Sequence, residues 1–148
     1  MINNIIFDFD SVILHAEGVE LILQQALLRL DEKTRLQCTS KLNQITYLAD
    51  IGETPMAEAM QERFALAPVY REDVEAGAAQ ILAALSPKVC ETFAALRAAG
   101  KRLFVFSTGS DEWVRPVTRA LQVEDDHVFT NQLLYDDQGR VTGFDEKN

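Results

Sequence analysis

Two aspartates one residue apart close an apolar run near the amino end. "NNIIFDFDSV" sets Asp8 and Asp10 at the tip of a β-branched and aromatic segment that reads as a buried strand. Alternation puts both acids on one side of the chain while it stays extended. Like carboxylates so close repel unless protonation or a cation relieves them. A hard divalent ion such as Mg²⁺, held by Asp8 and Asp10, would do so and would also bridge to phosphate. One carboxylate could then attack phosphorus as a nucleophile, while the other protonates the leaving oxygen and later deprotonates water. A second apolar run, "RLFVF", ends in Ser107, Thr108, Gly109 and Ser110. Hydroxyl and backbone N–H groups at a glycine-containing turn from strand to helix can hold phosphate oxygens. Taken singly, a DxD is an ordinary solvated turn and "STGS" an ordinary helix cap. What argues for chemistry is that both stand at the ends of apolar strands.

These strands need elements to position them. Helical spacing runs through "GVELILQQALLRL", "KLNQITYLADIG", "TPMAEAMQERFAL" and "YREDVEAGAAQILAAL". Thr54 is the expected N-cap of the third, with Pro55 at its first position. Residues 16 to about 80 thus read as helices without a strand. Ser86 and Pro87 open a further helix that Gly100 closes, and "DEWVRPVTRALQV" is another. "HVFTNQLLYDDQGRVTGF" reads as a strand and a hairpin turned near Asp136 to Gly139. The chain is therefore α/β, a Rossmann-like parallel sheet with crossover helices and a helical block inserted after the first strand. In such sheets ligands sit beyond the carboxyl ends of the strands.

Composition narrows the partners. A length of 148 residues fits one domain with a small insertion, and 47% hydrophobic residues suffice for a core. A formal net charge of -9 argues against a nucleic-acid surface, which needs a basic stripe. Cys38 and Cys90 lack a CxxC partner and read as free thiols in a reducing compartment. The sequence shows neither an apolar run of membrane-spanning length nor a signal peptide, so the expectation is a soluble cytoplasmic protein.

"FDFDS" followed by "LFVFSTGS" resembles the haloacid dehalogenase-like phosphohydrolases, and within them the phosphoserine phosphatases. Those read roughly DxDST…EG after the first strand, where this chain has "DFDSVILHAEG". They carry an arginine in a cap helix, which "PMAEAMQERFAL" resembles, and a "VFANRL…GFD"-like stretch, here "VFTNQLLYDDQGRVTGFDE". The likeness runs from Ile5 to Glu146. It implies an α/β core of residues 1–15 and 81–148 with a helical cap of 16–80. It also implies Mg²⁺-dependent hydrolysis of a small phosphorylated metabolite, O-phospho-L-serine going to serine and phosphate, as in serine biosynthesis. By the same likeness Asp8 is the nucleophile that becomes an aspartyl-phosphate, and Asp10 the general acid and base. Ser107, with Thr108 and Gly109, holds the phosphoryl group. Glu17 takes the substrate's ammonium, and Arg63 its carboxylate by a bidentate pair.

The chain also departs from that pattern. Val12 stands for the usual threonine, Asp50 for a methionine and Met56 for an aromatic, the last two at pocket positions. The family's later lysine and its GDGxxD strand have no counterpart. Lys147 comes too early for that lysine, and Asp145 and Glu146 are not assigned as metal ligands. The missing strand would lie beside the first, so its loss leaves an open sheet edge suited to self-association. Three expectations stay open: a fragment of a longer enzyme, a shortened relative without activity that serves as a binding module, or a site completed by another chain. A phospho-acceptor receiver domain fits less well, because it places a single helix after the first strand.

Overall fold

In the computed structural model, which describes residues 2–145, the two apolar runs become β1 (Asn4–Asp8) and β2 (Arg102–Ser110). Between them lie α1 (Gly18–Leu27), α2 (Glu32–Asp50), α3 (Met56–Leu66), α4 (Arg71–Ala83) and α5 (Pro87–Ala98). After β2 come α6 (Asp111–Ala120), a 3-10 turn (Asp125–His127), and the hairpin of β3 (Val128–Tyr135) and β4 (Val141–Asp145). The sheet order is β1-β2-β3-β4, with the first three strands parallel and β4 antiparallel to β3. This is the α/β class the sequence predicts. No helix among the described residues is long and apolar enough to cross a membrane.

Because strand order follows chain order, two crossovers of the same hand lay α5 and α6 on one face of the sheet. On that face Phe7 meets Phe93 of α5 at 4.6 Å between ring centroids, and Leu103 and Val105 are buried. The other face stays open: Ile6, Phe106 and Phe129 are 65%, 47% and 38% exposed, and the two phenylalanine rings stack at 4.4 Å. Among the described residues β1 pairs only with β2, so its outer edge is unpaired.

The helical insert shares its core with the sheet. α4 packs against both α1 and α6, and Ile22, Ile81, Val105, Trp113 and Val117 fall in one buried cluster. Gly77 of α4 permits the close approach to α1, since a Cβ there would lie 2.5 Å from Ile22 Cδ1. Beyond α1, Arg29 forms an ion pair with buried Asp73 and donates to the Pro68 carbonyl at 2.8 Å. Asp73 also accepts the Tyr70 N–H at 2.7 Å, so one carboxylate fixes the start of α4 and its link to α1.

Three local expectations shift. The helix expected to begin at Pro55 begins at Met56, with Pro55 itself in the N-cap place (φ -56°, ψ 140°) and no side-chain cap. Proline's fixed φ and the extended ψ satisfy that position without Thr54. β2 does not turn at Ser107–Gly109 but continues to Ser110, and α6 starts at once. Its register to β3 slips between Phe106 and Ser110, so the segment is strand with a local irregularity. Lastly, the chain does not remain extended past Asp8. The Phe9 carbonyl accepts the N–H groups of Ile13 (2.9 Å) and Leu14 (3.0 Å), and Ser11 takes a left-handed φ of 58°.

Candidate functional site

The register sets the strand tips side by side. Asp8 stands opposite Phe106, so Ser107 and its successors lie just past the end of β1. Asp8 is exposed, and its Oδ1 accepts the Phe9 N–H at 2.6 Å. Ser107 Oγ accepts the Gly109 N–H at 3.0 Å, which leaves the hydroxyl proton free to donate outward. The Thr108 carbonyl accepts Asn131 Nδ2 at 2.9 Å, so β3 braces the loosened end of β2.

The turn after Phe9 carries Asp10 off the strand and points it at α1. Asp10 Oδ1 accepts the Gly18 N–H at 2.7 Å, satisfying a free donor at the start of that helix. Burial pushes the Asp10 carboxyl up to about 6; the Gly18 hydrogen bond opposes this, and the charges of Glu17 and then Asp8 add to it. Glu17, just before α1, is exposed and accepts Ser11 Oγ–H at 3.0 Å.

Trp113 closes the back of the site. It is 1% exposed, and its Nε1 donor has no partner among the described residues. A Cβ at Gly18 would come 2.7 Å from that nitrogen, and one at Gly109 2.8 Å. Both glycines are thus required by the indole, not by backbone conformation. The first turn of α6 is fixed by Asp111, which accepts Arg115 Nε at 2.6 Å, the Thr130 hydroxyl, and Gln132 Nε2 at 3.2 Å.

Two adjoining clefts result. One, of about 450 Å³ against the open sheet face, is lined by Asp8, Ser107, Thr108 and Asn131 together with Ile6, Phe106 and Phe129. The other, of about 250 Å³, gathers Asp10, Glu17, Arg63, Thr108 and Gly109 with Glu20, Thr46, Asp50, Met56, Met60 and Trp113. Thr108 lines both. The two acids that the sequence places side by side therefore face different clefts with a common wall. Arg63, on α3, is 5% exposed; Nη2 donates to Thr46 Oγ1 at 3.0 Å, and Nη1 lies 3.2 Å from Met60 Sδ. Burial lowers its pKa, and the charges of Glu20, Asp50 and Glu17 act against that. Asp50 and Met56 line this cleft, whereas Val12 is 49% exposed and lines neither.

Trp113, Glu20, Thr46 and Asn131 were not singled out from the sequence. Glu20 was within reach of pattern reading, being one helical turn after Glu17. The signal for Trp113 was a lone tryptophan three residues past "STGS". Thr46 and Asn131 depend on tertiary packing alone. Glu124, Asp126 and His127 bring ligand atoms together on the 3-10 turn, but His127 Nδ1 meets the Leu103 carbonyl near the start of β2, at the opposite end of the strand from Ser107. Glu146 and Lys147 lie outside the described residues, and Asp145 ends β4.

The haloacid dehalogenase-like hydrolase family model matches residues 5–148. Human phosphoserine phosphatase is 28% identical over 141 residues, covering 95% of this chain and 58% of that protein, so the chain spans a little over half of that relative's length. A phosphoserine phosphohydrolase-like protein from Francisella tularensis superposes with a TM-score of 0.81 at 24% identity, over all of this chain and 66% of its own. A phosphoserine phosphatase solved as a phospho-aspartyl intermediate analogue gives a TM-score of 0.75 at 26% identity, over 96% of this chain and 61% of that one.

Two predictions follow from the packing and the buried acid. Gly109→Ala should destabilise the fold by about 2 kcal/mol through the clash with the indole and shift the emission of the single tryptophan; an unchanged urea midpoint and spectrum would contradict the packing. Asp10 binds its proton more tightly folded than unfolded, so its contribution to stability is fully present below pH 3.8 and is lost as pH rises through about 6. Asp10→Asn should therefore remove a decline in stability across that window, measured as urea midpoints against pH; identical slopes in both proteins would refute it.

Proposed function

The chain belongs to the haloacid dehalogenase-like hydrolase family, and on that premise we propose that it hydrolyses small phosphomonoesters through Asp8. The observation that carries this is the meeting of the β1 and β2 tips: a nucleophilic carboxylate beside a serine hydroxyl and a glycine-containing backbone, with a partly buried second carboxyl across the shared Thr108 wall. Asp8 attacks phosphorus, and the bond from phosphorus to the substrate's ester oxygen breaks. Asp10, whose burial favours the protonated form, gives its proton to the departing alkoxide. Asp10, now a base, takes a proton from water as that water attacks the phosphorus of the Asp8 acyl-phosphate. The Asp8–phosphorus bond breaks, and free carboxylate and phosphate return. Ser107, Thr108 and Gly109 hold the equatorial oxygens.

Hard oxygens at Asp8 and Asp10 suit Mg²⁺. Asp8 uses Oδ1 on the Phe9 N–H, which leaves Oδ2 for a cation; the Asp10 side chain carries the proton it donates, so Asp10 would hold the ion through its backbone carbonyl. When bound, the ion would offset the charge between these acids and the phosphate. The reference substrate is O-phospho-L-serine, with Glu17 placed for its ammonium and Arg63 for its carboxylate. The resemblance divides the chain into a core of 1–15 and 81–148 and a cap of 16–80, a boundary that falls inside α4, and the helices α1, α2 and α3 of that cap wall the cleft. The open β1 edge and the apolar face beside it fit self-association.

Phosphate release from O-phospho-L-serine should require Mg²⁺, cease with chelator, and fall to background in Asp8→Asn while the circular dichroism of that variant is unchanged. Release by the variant at the unmutated rate would defeat the nucleophile assignment; no release by the folded chain would favour a phosphate-binding module on the same scaffold. Sedimentation should show a dimer that Ile6→Lys dissociates, and a monomer at all concentrations would count against the edge contact.

A further inference from the structure

The cleft that Asp8 lines has no lysine, arginine or histidine among its described lining residues. A phosphate dianion beside the Asp8 carboxylate meets hydroxyl and amide dipoles there but no positive side chain, although phosphoryl transfer depends on charge stabilisation.

The strand that carries Asp8 shows where a cation can come from. The Arg102 N–H donates to the Asn3 carbonyl at 2.8 Å, and Asn4 to Asp8 stand in register with Arg102 to Phe106. Along a parallel ladder, alternate residues turn their backbone groups to opposite sides. Asn3, Ile5 and Phe7 therefore direct theirs to β2, and the N–H and C=O groups of Asn4, Ile6 and Asp8 point out at the unpaired edge. The side chains of these same three residues are exposed on the open sheet face.

Two such edges satisfy each other when they run antiparallel about a two-fold axis at Ile6. Ile6 then faces Ile6, and Asn4 faces Asp8, in hydrogen-bonded pairs with Cα atoms about 5.5 Å apart. This register uses the whole of β1 and keeps the two Asp8 carboxylates apart, whereas an axis at Asp8 would set like charges opposite each other. The axis stands perpendicular to the sheet, so the open faces of both copies join on one side.

Arg102 occupies that face beside Asn4. Its Nε donates to Asn4 Oδ1 at 2.9 Å, so the exposed guanidinium leans toward the β1 edge with its Nη groups left for an anion. In the paired ladder, Arg102 of one copy lies one strand beyond the Asn4 that faces Asp8 of the other. The two Cα atoms are roughly 10 Å apart, a span that an arginine leaning toward the carboxylate covers. Opposite charges meet in this way at both ends of the joint ladder.

We propose that two copies of the chain pair their β1 strands antiparallel about Ile6, and that Arg102 of the second copy binds the phosphate held at Asp8. The inference rests on the phosphomonoester reading and adds a residue supplied in trans to it.

Three measurements test this. Asn4→Cys and Asp8→Cys chains, mixed with oxidised glutathione, should form a disulfide-linked dimer that neither forms alone, because the facing pair has disulfide spacing. No cross-link in the mixture, or as much in either variant alone, would overturn the pairing. Arg102→Ala, with unchanged circular dichroism, should bind inorganic phosphate about tenfold more weakly by calorimetry, the size of one charge-assisted contact; unaltered binding would remove Arg102 from the site. Release from p-nitrophenyl phosphate should fall in both Asp8→Asn and Arg102→Ala. Refolding the two variants together should restore about a quarter of the unmutated rate, since half of randomly paired dimers hold one intact site. Absence of that recovery would contradict supply in trans. If the unmutated chain releases no phosphate, hydrolysis itself fails, and the cross-link and the phosphate titration decide the proposal by themselves.

Discussion

The site depends on how closely two backbones approach one indole. Trp113, in the first turn of α6, presses on Gly18 at the start of α1 and on Gly109 near the end of β2, and neither position has room for a methyl group. That contact draws the helical insert onto the strand tips. It brings the Gly18 N–H within reach of Asp10, and so turns the second aspartate away from the strand line into the cleft. The same contact sets Ser107 beside the buried edge of the indole. A side chain at either glycine would move two elements at once, because interiors at native density transmit such displacements.

Charge is arranged around this junction in a graded way. Asp8 is exposed at the open side, Asp10 is half-buried and holds its proton more tightly, and Arg63 is buried among acids. A phosphoryl-transfer site needs an ionised attacking group and a protonated donor at the same pH. Burial of Asp10 favours the protonated form that such a donor requires. The topology that produces the tips also leaves a face bare: strands added in chain order put their crossover helices on one side, and Ile6, Phe106 and Phe129 are left on the other.

Much of this was legible in the residues. Apolar runs ending in "DFD" and "STGS" located both tips, and helical spacing found the insert, because period and terminal polarity are local properties. The hairpin at Asp136 to Gly139 was readable from its turn residues for the same reason. Asp10 was misplaced in orientation because alternation assumes an extended chain, and the carbonyl of Phe9 gathers a turn that no dipeptide rule predicts. The cap of α3 moved by one residue, as helix ends do when a proline can occupy the N-cap. The roles of Trp113, Thr46 and Asn131 were out of reach, since each depends on which elements pack together rather than on its neighbours in sequence.

The central claim is that phosphorus passes through the carboxylate of Asp8. The most direct measurement is borohydride trapping during incubation with a phosphomonoester and Mg²⁺, followed by peptide mass mapping. The account predicts reduction of an acyl-phosphate at Asp8, absent without substrate and absent in Asp8→Asn. Phosphate released with Asp8 unmodified, or an adduct carried by another acid, would contradict it.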